Sequence, residues 1–127
     1  MIWQDEFNTS QIDKSKWTFE TGGDGFGNNE LQFYTTDRKE NARVEDGNLI
    51  IEARKEQCES NQYTSAKLIT KETFPFQYGS VEVRAKLPKG KGTWPAIWML
   101  SKNIKKWPDD GEIDIMEHVG YNQGFIH

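Results

Sequence analysis

The chain has 127 residues, with 16 basic against 20 acidic side chains for a formal net charge of −4, a length that holds one domain or part of one. A sequence pI near 5.2 supplies no positive field for phosphate backbones, so nucleic acid is not expected as a partner. A mean hydropathy of −0.85 and the lack of a long apolar run exclude a transmembrane helix, and no membrane partner is expected.

Met1-Ile2-Trp3-Gln4-Asp5 has neither the basic nor the apolar region of a signal peptide. Asn8-Thr9-Ser10 matches a glycosylation sequon, a pattern too short to carry an argument. Gly22-Gly23-Asp24-Gly25-Phe26-Gly27 lacks the GxGxxG spacing, which favours a mobile surface loop over a phosphate cradle. Asn28-Asn29-Glu30-Leu31-Gln32 then offers amide donors and acceptors suited either to sugar hydroxyls or to turns. An Asp46-Gly47-Asn48 hairpin signal precedes a strand in which Leu49, Ile51 and Ala53 oppose Ile50, Glu52 and Arg54. The lone Cys58 has no intrachain partner, and its polar neighbours Glu56, Gln57, Glu59 and Ser60 make it an inert surface thiol.

A further strand is expected over Thr64 to Thr70. Gly79 to Leu87 alternates apolar and charged residues, a strand with one wet face that Pro88 stops. Thr93 to Leu100 and Glu112 to Val119 complete the set, and Gly120 to His127 reads as the start of another strand, with sequence expected beyond it. No helical stripe lasts more than about two turns, so the fold class is all-β with helices minor. Sixteen aromatic residues, 13% of the chain, are expected to divide between a thin core and a surface of flat rings.

The sharpest feature is Gly111-Glu112-Ile113-Asp114-Ile115-Met116-Glu117-His118. Glu112 and Asp114 share a face by the two-residue period of a strand, whereas strict alternation turns Glu117 inward, a costly place for a carboxylate. A β-bulge at Ile115-Met116 returns Glu117 to the acidic face. Carboxylates about 6 Å apart at an effective dielectric near 20 repel by about 3 kcal/mol, which disfavours full ionisation of the set. That arrangement suits a glycosidase pair of nucleophile and proton donor. A solvated strand face and a divalent-metal site through Asp114, Glu117 and His118 are the alternatives, the second weakened because His118 should face away from Glu117.

Trp94 and Trp98 fall on one face of their strand with only Ala96 between them, a platform for the C–H faces of sugars unless both are core residues. Trp107, ahead of Pro108-Asp109-Asp110, is placed at the rim of the same cleft. Arg84 lies on the polar side of its strand, free to bond a carboxylate, a sugar or water.

These residues resemble glycoside hydrolase family 16 in its bulged, laminarinase-like form. The resemblance rests on Gly111 to Glu117, with further matches at Trp3 to Asn8, Asn28 to Thr35, Thr64 to Lys67, Tyr78 to Arg84 and Lys91 to Leu100. It implies a jelly-roll β-sandwich of the concanavalin A-like kind and retaining endo-hydrolysis of β-1,3-glucan such as laminarin. Glu112 would be the nucleophile, Glu117 the acid/base, and Asp114 the residue that tunes the pair. Trp94 and Trp98 would line subsites, with Asn29 and Arg84 as sugar contacts. The resemblance also implies an extracellular setting and a structural calcium, to which Glu6 and Gly47 correspond. The family's catalytic domain is about twice this length, so residues 1–127 are expected to be its N-terminal portion, completed by a C-terminal half or another chain. A non-catalytic glucan-binding module on the same fold, or a hydrolase of another β-glucan or galactan, is the alternative.

Overall fold

A computed structural model describes residues 1–127 and contains strands and turns but no helix. It divides into two compact units, Met1–Pro75 and Phe76–His127. The first holds β1 (Thr18–Glu20), β2 (Gln32–Tyr34), β3 (Ala42–Glu45), β4 (Asn48–Ile51), β5 (Tyr63–Ser65) and β6 (Lys67–Ile69). The second holds β7 (Ala96–Leu100) and β8 (Glu112–Glu117).

In the first unit the expected hairpin forms. Glu45 pairs with Asn48 across Asp46 and Gly47, whose φ angles of 50° and 72° are those of a two-residue turn matched to strand twist. β1 pairs antiparallel with β6, and β2 runs parallel to β5. The expected strand over Thr64 to Thr70 is thus split at Ala66, because its two halves serve different partners.

The core of this unit is thin, as its composition implies. Ile12, Ala42 and Ala66 are buried, with Trp17, Phe19, Val44, Leu49 and Leu68 packed against them. Trp3 meets Trp17 edge-on at 5.4 Å between ring centroids and stacks near Phe74 at 5.8 Å. Asp5 accepts from the Trp17 indole N–H at 2.9 Å and from the Phe7 amide at 3.1 Å, which anchors the N-terminal segment to this aromatic group.

Asn41, fully buried, uses its whole amide. Its Oδ1 accepts from the Thr35 hydroxyl and Arg38 Nη1, and its Nδ2 donates to the Glu52 carbonyl and to Thr64 Oγ1. The Thr64 hydroxyl in turn donates to Glu56, which Arg38 also grips with both terminal nitrogens. Arg38 and then Thr64 hold the Glu56 carboxyl down to about 2.

Four expectations are corrected here. Leu49 packs on the core, but Ile51 is 51% exposed and Ala53 is exposed, while Glu52 and Arg54 are half-buried in an Arg43–Glu52–Arg54 ion-pair ladder, so the apolar side is covered at its start only and the charged side is closed by its own pairs. The segment Gly79 to Leu87 forms no strand, because none of the 127 residues pairs with its backbone, and Val81 and Val83 are exposed. The glycine-rich loop is tied down: Gly22 exchanges two backbone bonds with Tyr34, Phe26 packs on Tyr34 at 5.0 Å, and a Cβ on Gly23 would sit 2.4 Å from Asn61 Oδ1. Cys58 is half-buried rather than exposed, with its backbone bridged to Asn61.

Candidate active site

The second unit builds the acidic face from one hairpin. β7 and β8 are antiparallel, with Leu100 opposite Glu112, Met99 opposite Ile113 and Trp98 opposite Asp114. The register then slips, and Ile97 faces Met116 and Ala96 faces Glu117, so Ile115 is an extra residue with no partner. Directly opposed residues share a face, and Ala96, Trp98 and Leu100 share theirs by alternation. Glu112, Asp114 and Glu117 therefore all project from one side of the hairpin, the outcome expected from a bulge at Ile115-Met116.

Pairing continues past the strand ends. His118 N–H donates to the Pro95 carbonyl at 3.2 Å and Gly120 N–H to the Thr93 carbonyl at 2.8 Å. The same alternation puts Trp94 and Val119 on the acidic side and His118 on the opposite side, where it is 6% exposed. His118 is thus separated from the acids by the sheet, which removes it from any shared metal site with Asp114 and Glu117. Proline 95 has no N–H to donate, so only its carbonyl joins the ladder and β7 proper begins at Ala96.

Gly120 is where hairpin and preceding loop meet most closely. A Cβ there would lie 1.8 Å from the Gly90 carbonyl oxygen and 2.3 Å from Thr93 Oγ1, so only glycine fits. On its other edge, Glu117 exchanges backbone bonds with His127, both at 2.8 Å. The Glu117 N–H and C=O are thereby both spent on His127, and the stretch from Gly120 forms turns where its pattern suggests the start of a strand.

Glu112 and Asp114 are exposed and Glu117 is half-buried. Glu112 and Glu117 stand opposite Leu100 and Ala96, four positions apart on β7, or about 13 Å between backbones at the rise of a strand. Trp98 is half-buried on the same face, and Trp94 is 49% exposed. Trp107, expected at a rim, does more: its indole N–H donates to Glu112 Oε2 at 2.6 Å. A Trp five residues before an acid carries no sequence signal for such a bond.

The other expected positions are on other segments of the chain. Arg84 is exposed on the unpaired segment of the second unit. Asn29, in the first unit, is exposed with φ of 56°. The amides beside it serve Glu30: Asn28 Nδ2, Gln32 Nε2 and the Tyr34 hydroxyl all donate to that carboxylate. Burial, and after it the Glu30 charge, push the Tyr34 phenol up to about 12. Glu6 is exposed and Gly47 lies in the β3–β4 turn. Both are oxygen donors of the kind calcium takes, but calcium needs six to eight such ligands. No group of three or more His, Cys, Asp or Glu side chains that could hold a metal ion is formed, so calcium here would draw on carbonyl oxygens as well.

Residues 29–127 match the sequence profile of Glycosyl hydrolases family 16. The chain belongs to glycosyl hydrolase family 16. Among family relatives, it is 54% identical to a beta-glucanase of Rhodothermus marinus across its whole length, covering 46% of that protein. It is 46% identical over 93% of its length to a glucan endo-1,3-beta-glucosidase of Cryptopygus antarcticus, covering 45% of it. The fold matches a crystal structure of SCLam, a non-specific endo-beta-1,3(4)-glucanase of the family co-crystallised with 1,3-beta-D-cellotriosyl-glucose, at a TM-score of 0.93 and 49% identity. That match covers 98% of this chain and 52% of the other. The architecture is accordingly that of the family's jelly roll over about half its extent, and the chain spans about half the length of these relatives.

Proposed function

We propose that the chain forms the catalytic half of a retaining endo-β-1,3-glucanase. The observation that carries the reading is the β7–β8 register, which aims three carboxylates and two indoles from one face despite a sequence spacing that would otherwise divide them. Glu112 attacks the anomeric carbon while Glu117 donates a proton to the departing glycosidic oxygen. The resulting glycosyl ester on Glu112 is then opened by water, whose proton Glu117 takes back. Asp114, between them on the same face, shares protons and hydrogen bonds with the pair. Trp94 and Trp98 stack on sugar rings, with Asn29 and Arg84 as further contacts.

The substrate class is drawn from the Cryptopygus antarcticus relative and SCLam, whose names specify β-1,3 and mixed β-1,3(4) linkages. The active unit in this proposal includes further chain that completes the jelly roll. The 127 residues expose 9711 Å², against about 6,900 Å² for a self-contained monomer of this mass. Ile113 on β8 is itself 61% exposed on the side away from the acids. An extracellular location belongs to the same proposal.

The test is product analysis on laminarin, lichenan and agar with the completed domain, following the anomer first released. Laminarin oligosaccharides with retained configuration, lost in Glu112→Gln and Glu117→Gln while glucan binding persists, are the expected result. Glucan binding with no reducing-sugar release would replace the hydrolase by a recognition module.

A further inference from the structure

We infer that Trp107 is a positioning residue for Glu112, bonding one carboxylate oxygen so that release of the sugar from the other is faster. The inference rests on the proposed nucleophile.

The loop between β7 and β8 is organised to deliver this contact. Asp110 Oδ2 accepts from the backbone N–H groups of Lys105, at 2.5 Å, and Lys106, at 2.9 Å. The Asp110 amide returns to the Lys106 carbonyl at 3.0 Å, and the Gly111 amide to the Pro108 carbonyl at 2.9 Å. Gly111 turns the chain into β8 with φ of 80°. The Lys106 and Lys105 amides hold the Asp110 carboxyl below the usual carboxylate range, so the clasp stays charged at neutral pH. The backbone from 105 to 111 is thereby closed on itself, with Trp107 inside the ring and its indole directed at the first residue of β8.

An indole has one donor and no acceptor. With that donor on Glu112 Oε2 at 2.6 Å, Trp107 has no polar group left for a sugar hydroxyl, although its ring is 65% exposed. Glu112 keeps Oε1 free. In the first step Oε1 bonds the anomeric carbon, the glycosidic C–O bond breaks, and Glu117 supplies the proton. Oε2 is then the carbonyl oxygen of a neutral ester, still facing the N–H. In the second step water bonds the anomeric carbon, the Oε1–carbon bond breaks with its electron pair going to Glu112, and Glu117 takes the water proton. A hydrogen bond to a carboxylate is stronger than one to an ester carbonyl, so the indole favours the step in which Glu112 regains its charge.

The experiment uses the completed domain with Trp107→Phe, and with 3-benzothienylalanine at 107, which keeps the ring shape and replaces N–H by sulfur. An aryl β-1,3-glucan disaccharide with a good leaving group reports both steps. Slower ester opening predicts that kcat and KM both fall about tenfold with kcat/KM kept or raised, and that a burst of aryl alcohol appears. A raised KM at unchanged kcat, or a reduced kcat/KM without a burst, would make Trp107 only a stacking platform and overturn the inference. Independently of turnover, the Trp107 Nε1–H resonance should move upfield in Glu112→Gln, and an unmoved resonance also overturns it. If Glu112→Gln stays active, the proposed nucleophile is wrong; if it is inactive and the Trp107 variants show no burst, the role of Trp107 alone falls.

Discussion

Deleting Ile115 should leave the acidic face and its spacing intact. In the observed register Glu112 opposes Leu100 and Glu117 opposes Ala96, four steps apart on β7 although five apart on β8. Without Ile115 the same partners meet in a regular ladder, with the same separation of about 13 Å. The expected cost is the contact of one half-buried isoleucine, about 1 kcal/mol. Inserting an alanine between Met116 and Glu117 has the opposite consequence. Glu117 then falls opposite Pro95, on the side where His118 is buried, and its carboxylate is displaced by about 10 Å, the scale of one sheet spacing. A proton donor must lie within hydrogen-bond reach of the departing oxygen, so laminarin turnover should fall at least about 100-fold. Removing Val119 together with the insertion returns Gly120 to its place against Gly90 and keeps the fold. Reducing-sugar assays on the completed domain, with thermal melts to confirm folding, separate the two changes. A folded insertion variant with normal turnover, or a folded deletion variant without it, would refute the facing argument.

Gly120→Ala should destabilise the second unit by roughly 2 kcal/mol or more, since its Cβ meets backbone at Gly90 rather than a side chain that can swing away; urea melts check it. Asn41→Ala leaves Thr35, Thr64, Arg38 and the Glu52 carbonyl each short of a partner and should cost about 2–3 kcal/mol by the same measurement. Glu56 has a folded-state value near 2, below that of an unfolded glutamate, so its contribution is complete above about pH 4.5 and is lost as pH falls toward 2. Melting temperatures of the wild type and Glu56→Gln should therefore converge across that window; parallel curves would show that Glu56 is not the group responsible.

The acidic face was legible because it depends on local counting. Three carboxylates, period-two alternation and one residue too many between Asp114 and Glu117 leave a bulge as the way to avoid an inward carboxylate, and Trp94 and Trp98 follow the same count. Pairing is not local, and there the reading failed. Gly79 to Leu87 alternates as cleanly as any segment, yet a pattern does not supply the neighbour that would hydrogen-bond it. Likewise, Leu49 to Arg54 shows two faces, but not that the apolar one is covered only at Leu49 while Arg43, Glu52 and Arg54 close the other with ion pairs. The parallel pairing of β2 with β5 and the bond from Trp107 to Glu112 depend on how distant loops close, through Asn41 in one case and Asp110 in the other. Neither closure leaves a periodic signal.

The two bonds between Glu117 and His127 give the proposed proton donor a different mechanical footing from its companion. Flanked by backbone on either edge, Glu117 sits at a stiff interior point of the hairpin, and its amide should rank among the slowest to exchange in this unit. Glu112, at the mouth of the strand, owes its steadiness to a tether from a side chain. Fidelity at the proton-transfer end is therefore set by main chain, which substitution can hardly alter, whereas the nucleophilic end is open to adjustment through the loop that carries Trp107.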